Sequence, residues 1–185
     1  MVSARGTSYK LIFPKTFIPE EIKSKYRDVI QAVPGQLIQD PTEFLNYSVQ
    51  SFSTPTISYQ PIEQEDHPGW VKRYRSVLPL EQGVEHDITI SFKVTDGFIN
   101  YFMMLDIYKW YYGVDDLKYV PSPLIEFMDG QGNCWSKLQL KDMLFIGLSG
   151  LDLNSTSNQL DTLTFTASFT CDSAEFITAF NTRLK

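Results

Sequence analysis

Apolar and polar positions change period along this chain, and the changes mark its elements. Tyr9-Lys-Leu-Ile-Phe13 predicts a short strand, stopped by Pro14. Pro19-Glu20-Glu21 opens a helix: proline is tolerated in the first turn, and carboxylates suit the positive end of the helix dipole. Ile22, Tyr26, Val29, Ile30 and Val33 recur at helical spacing, and Pro34-Gly35 ends the run. Asp40-Pro41-Thr42-Glu43 starts a second, shorter helix. From Asn46 the period becomes two, with Tyr47, Val49 and Ser51 on one side and Ser48, Gln50 and Phe52 on the other. Pro55 interrupts, and Ile57, Tyr59 and Ile62 resume the alternation. Residues 63–69 read as an acidic loop, and 71–77 as a strand with a basic face. Pro79 in the following connector excludes a central strand position there.

The second half is more regular. Ile88-Thr-Ile-Ser-Phe-Lys-Val94 alternates, and Asp96-Gly97 turns the chain into a helix over 98–112. That helix carries Phe98, Tyr101, Phe102, Leu105, Trp110 and Tyr112. Its apolar cover exceeds one stripe, which predicts one buried face and a second face in contact with something else. Strands follow over 123–128 and 135–146, joined by the Asp129–Asn133 turn. A polar loop over 151–158 leads to a last alternating run over 160–171. The expected fold is mainly β, a sandwich or barrel, with one central α-helix and an N-terminal helical insertion over 14–46. An extended β-hairpin arm is expected over 47–78, all within a single domain, 1–185.

Composition narrows the function. At 43% apolar and 14% aromatic the 185 residues can bury a sizeable core, and disorder is excluded. A net charge of −6 argues against a groove that grips nucleic acid through its phosphates. It suits a surface that nucleic acid passes without sticking. Cys134 and Cys171 are too few and too far apart for a disulfide framework, and are expected as free thiols on strands. No run approaches the length of a membrane-spanning helix, and the first residues lack the apolar core of a secretion signal.

Candidate chemistry is sparse. His67 and His86 sit beside Asp66 and Asp87 but have no further ligands at metal-binding spacing. Gly130-Gln-Gly132 is flanked by strands, so it is a hairpin turn rather than a phosphate cradle. Asp152, Asn154, Asn158 and Asp161 lack the spacing and closing glutamate of a calcium loop. No nucleophile motif is present, and neither a catalytic residue, a metal nor a cofactor is expected. Lys72, Arg73 and Arg75 form the basic cluster. Three uses stand for it: pairing with the acidic Glu63, Glu65 and Asp66 of a neighbouring copy, a solvated strand face, or nucleic acid, which the acidic balance disfavours.

Two blocks carry a resemblance. Val49-Gln-Ser-Phe-Ser-Thr-Pro-Thr-Ile57 resembles a long strand, a turn at proline and a returning strand; His86-Asp-Ile-Thr-Ile-Ser-Phe-Lys-Val94 resembles the strand leading into a single helix. In the second block, Lys141-Asp-Met-Leu-Phe-Ile-Gly-Leu148 resembles a strand with a terminal glycine; the loop 149–158 and Leu163-Thr-Phe-Thr-Ala-Ser-Phe169 follow it. In this order they resemble the tail tube proteins of contractile bacteriophages, a group related to the type VI secretion tube. The helical segment 18–44 and the loop 63–70 depart from that pattern, as additions on a specialised ring at a tube end would.

The resemblance implies a virion structural protein, synthesised in the host cytoplasm and built into a phage tail. It implies a homo-oligomeric ring, hexameric in that family, stacking into a channel that DNA passes without specific binding. Sheath, baseplate or connector proteins are the implied partners. Val49, Phe52, Pro55, Ile57, Tyr59, Lys72, Arg73 and Arg75 are the expected subunit-interface residues. Two alternatives remain open: a baseplate or connector ring protein of the same fold, and a small β-sandwich module binding carbohydrate or peptide through Trp70, Trp110 or Trp135.

Overall fold

The computed structural model describes residues 9–33, 37–57, 62–67, 69–74, 84–85, 87–113, 119–151, 153 and 163–178. The strands are β1 (Tyr9–Ile12), β2 (Val49–Phe52), β3 (Thr56–Ile57), β4 (Ile62–His67), β5 (Trp70–Tyr74), β6 (Val84–Glu85), β7 (Asp87–Lys93), β8 (Leu124–Met128), β9 (Cys134–Leu148) and β10 (Thr164–Thr178). The helices are α1 (Glu20–Gln31), α2 (Pro41–Ser48) and α3 (Ile99–Tyr112). A six-stranded antiparallel sheet runs β1-β8-β9-β10-β7-β2, and β3-β6 and β4-β5 form two separate two-stranded sheets.

The sheet curls until its two edges meet. Tyr9 on edge strand β1 packs edge-on against Phe52 on edge strand β2, with ring centroids 4.9 Å apart, and its hydroxyl donates to the Gln50 carbonyl at 2.8 Å. Phe52 also lies against Phe127 of β8. The Phe13 amide donates to Asn46 Oδ1 at the end of α2, extending the seam. The body is therefore a nearly closed barrel, which removes the unpaired edges of an open sheet.

The curl needs a corner, and β9 and β10 supply it together. In β9, Leu138 and Leu140 are buried before Asp142, and Met143 and Phe145 after it, so the inward parity switches. Asp142 sits at φ 50, the left-handed region that aspartate tolerates better than most residues. In β10, Phe165, Ala167, Phe169 and Cys171 are buried, and Ala174, of the opposite parity, lies opposite Leu140. Both long strands thus belong to both walls of the barrel.

Helix α3 covers the core with Ile99, Met103, Met104 and Ile107. Its entry is held by Asn100, fully buried, whose Oδ1 accepts from the Thr95 amide and hydroxyl and whose Nδ2 donates to the Lys93 carbonyl. Those bonds fix a tight corner in which Gly97 and Phe98 both take positive φ. Helix α1 buries Ile22, Tyr26 and Ile30; Val29, expected on the same stripe, is 43% exposed. The predicted stop at Pro34-Gly35 lies outside the described residues.

Three expectations change. Residues 46–48 end α2 rather than begin a strand, because Asp40 caps the helix by accepting from the Thr42 amide and Pro41 presets its first turn. Pro55 does not return the chain on itself. β2 pairs with β7 and β3 with β6, so the chain continues outward past it and reverses at Gly69, where φ is 92. Residues 63–67, expected as part of an acidic loop, belong to β4 and pair with β5, where Glu63 and Arg73 face each other across the ribbon. After that reversal the described strands are β5, β6 and β7 in chain order.

Candidate functional site

Any assembly surface here is made by strand edges and half-exposed apolar side chains. The body's outermost edges, β1 and β2, are closed on each other. The stagger of the two long strands leaves other edges. β7 pairs β10 only over residues 164–170, so beyond Cys171 the far side of β10 has no strand partner among the described residues. One core row runs Leu11, Ile125, Leu138 and Phe176 across four strands. Its first three members are buried, whereas Phe176, at the open edge, is 45% exposed. The core is unfinished at that point.

The other half-exposed apolar groups lie on the helices and at the hairpin end. Phe102 and Tyr112 are exposed on α3. Trp135 and Ile177 are exposed near the β8–β9 turn. Asp129 organises that turn: it accepts from the amides of Gln131 and Asn133, from Asn133 Nδ2 and from Trp135 Nε1 at 2.8 Å. These donors, the Trp135 and Asn133 side chains foremost, hold its carboxyl far below the usual range.

Helix α1 is tied to α3 at Asp106. Lys25 Nζ and the Tyr26 hydroxyl both donate to Asp106 Oδ2, at 2.6 and 2.8 Å. Burial opposes the Asp106 charge, but bonds from Lys25 and Tyr26 and the charges of Lys25 and Lys109 hold its carboxyl below the usual range. Burial first, then Asp106, raises the Tyr26 hydroxyl well above the usual range. A cleft of about 350 Å³ lies where α1, α2 and the β7–α3 corner meet, lined mainly by Val33, Ile38, Phe44, Val94 and Ile99. Its walls carry Lys93 and Asp96 and, among the described residues, no histidine or cysteine.

The expected interface residues separate into two groups. Val49 lies opposite Phe92 within the sheet, Phe52 closes the barrel seam and Pro55 is buried, so the contacts of these three are made within the chain. Ile57 lies in the β3–β6 pair, opposite Val84. Lys72 and Arg73 are exposed on β5. Arg73 Nε meets Glu63 Oε1 at 2.7 Å within the same hairpin, so this acid–base pair, expected between copies, forms inside one. Glu65 and Asp66 occupy β4. Tyr59 and Arg75 lie outside the described residues. What sequence reasoning missed was the seam: alternation marks strands but carries no sign of which edges meet.

Cys134 is exposed on β9 and Cys171 buried on β10. His67 ends β4, and His86, Asp152, Asn154, Asn158 and Asp161 lie outside the described residues. No group of three or more metal-ligating side chains occurs among the described residues. Trp70, Trp110 and Trp135 lie on β5, α3 and β9, so they come from three separate elements.

No family model and no curated protein sequence matches the chain. Solved structures do. The cap of the anti-feeding prophage, described as its tube terminating cap, aligns at 14% identity with a TM-score of 0.55, over 97% of this chain and 93% of that one. The sheath–tube complex of the PVC extracellular contractile injection system aligns at 16% identity and TM-score 0.49, over 71% and 81%. The sheath/tube terminator of that system aligns at 17% and 0.49, over 69% and 84%. At these identities the likeness is one of fold: the chain is a mainly β, tail-tube-like barrel with one central helix and an added pair of helices near its N-terminus.

Proposed function

We propose that this chain is a structural subunit of a contractile tail or tail-like injection particle, and that it forms a ring at or near the end of the tube. The observation that carries the reading is the extent of the fold match to the tube terminating cap. It spans 97% of the chain, which supports reading the α1–α2 segment as part of the subunit's fold. That segment is also fastened to the body, through Asp106 and the buried stripe of α1.

The physical features agree. A barrel closed at β1 and β2 but open along the far half of β10 offers a place where another chain can add a strand and cover Phe176. A head-to-tail contact of that kind closes into a ring when the rotation fits. A channel through such a ring, in a protein of net charge −6, repels DNA enough to let it pass. Sheath, baseplate or connector proteins are the partners of such a ring, and hexameric closure follows the family it resembles. The work is assembly, not catalysis. Purified full-length protein viewed by negative-stain microscopy tests this: rings support the tube-end reading, long tubes shift it to a repeating tube subunit, and monomers at every concentration overturn it.

A further inference from the structure

Two helices carry large apolar side chains that stay half or more exposed, and the two exposed faces differ in charge. On α3, Phe102, Leu105, Lys109 and Tyr112 recur at steps of three, four and three residues, which aligns them along one side of the helix. Phe102 is 50% and Tyr112 61% exposed; Lys109 is exposed and Leu105 half-buried. The core residues Ile99, Met103, Met104 and Ile107 lie on the opposite side. On α2, the exposed Glu43 and Tyr47 stand one turn apart, while Phe44, Leu45 and Ser48 are buried. Tyr47 is 77% exposed, and Leu37, shortly before the helix, is 95% exposed. Among the described residues neither Glu43 nor Lys109 is in an ion pair. Asp106, beside the α3 row, is already taken by Lys25 and the Tyr26 hydroxyl.

From this we infer that α2 of one copy lies against the α3 row of the next, Leu37 and Tyr47 covering Phe102 and Tyr112 while Glu43 meets Lys109. The alternatives between copies are poorer. An α3 row set on a second α3 row covers Lys109 with no carboxylate in either row to receive it, and α2 set on α2 opposes Glu43 to itself. Only α2 on α3 brings acid to base. Covering the aromatic rings supplies the affinity, and the charges supply the choice of face, since an exposed ion pair alone is weak. Each copy offers one face of each kind, so the contact is heterologous and closes when the rotation fits. The inference rests on the ring reading above and specifies which faces of the copies meet.

The test uses the full chain. One variant carries Glu43→Lys and Tyr47→Lys, which spoils the α2 face. A second carries Phe102→Gln, Lys109→Gln and Tyr112→Gln, which strips the α3 row. Sedimentation velocity reads the oligomer, and circular dichroism checks the fold. Each variant alone is expected to sediment as a monomer. Their equimolar mixture retains one intact α2 face and one intact α3 row, so it is expected to form dimers and nothing larger. If the α3 variant does not fold, the exposed charges decide: Glu43→Lys and Lys109→Glu should each weaken assembly at least several-fold, and the protein carrying both should regain it. If the unsubstituted protein forms rings and either face variant does so equally well, the inference is wrong and the ring reading stands. The same holds if the mixture stays monomeric, or if the paired charge reversal regains nothing. If the unsubstituted protein never leaves the monomer, both fail.

Discussion

The Tyr9 hydroxyl donates to the backbone carbonyl of Gln50 at 2.8 Å, joining the first strand of the sheet to the last across a seam with no ladder of its own. Closure here rests on side chains: the Tyr9 and Phe52 rings, Phe127 beneath them, and Asn46 reaching the Phe13 amide.

Removing the seam bond should therefore loosen the barrel without unfolding it. Tyr9→Phe is expected to cost about 1 kcal/mol, the usual net worth of one hydrogen bond, and Tyr9→Ala clearly more because it also strips the Phe52 contact. Chemical denaturation gives the stabilities, and hydrogen exchange should show faster loss of protection in β1 than in β9. Equal exchange in both strands would mean the seam is not a separate joint.

Asn100 is the buried polar group on which the β7–α3 corner depends. Asn100→Leu keeps the volume but leaves the Thr95 amide and Lys93 carbonyl without their partner, at an expected cost of about 2–3 kcal/mol. Asn100→Asp is expected to be as damaging, because a carboxylate has no proton to give Lys93. Urea midpoints decide it. A loss smaller than that of Tyr9→Phe would show that the corner is held elsewhere.

The left-handed Asp142 predicts an asymmetry among substitutions. Asp142→Gly should be close to neutral, while Asp142→Val, which fits an ordinary strand, should lose about 1–2 kcal/mol because a β-branched residue is strained at this φ. If valine is accepted, the parity switch of β9 does not require the left-handed backbone.

Two titrations bound the stability in pH. Asp106 and Asp129 ionise more readily folded than unfolded, so their contribution is present above the ordinary carboxylate range and fades as pH falls through it. Tyr9, Tyr26 and Tyr111 are shifted the other way by burial, Tyr111 to about 12. Their contribution is intact below pH 10 and is lost as pH rises beyond it. Thermal melts from acid to alkaline pH should show both slopes. Asp129→Asn should flatten the acid one and shift Trp135 fluorescence, and Tyr26→Phe should flatten the alkaline one.

The sequence made the elements legible where burial is one-sided. Ile88, Ile90 and Phe92 alternate against solvent, so β7 is visible from its spacing; Ile22, Tyr26 and Ile30 do the same for α1. It failed where another signal outweighed periodicity. Asp40 and Pro41 carried the helix through Tyr47 and Ser48, although an alternating pattern can be drawn across them. The acids of β4 suggested a loop, because nothing local shows that Arg73 lies opposite Glu63. Phe52 suggested an interface for a related reason: its neighbours Tyr9 and Phe127 are distant in the chain, and an apolar residue in a short strand looks unpartnered until the barrel is closed. Candidate interface residues were thus readable as exposed or apolar, but not as turned toward the chain itself or away from it.

The pairing of Tyr9 with Phe127 also sets an order of events during synthesis. The first strand leaves the ribosome early and has no ladder partner until β8 has been made, most of the chain later. α1 likewise waits for Asp106. Leu11, Phe13, Phe17 and Ile18 must be kept from other chains through that interval, and the seam can close only once β8 has been made. Loops closed over such distances form slowly, so closure of the seam should be a late step in folding.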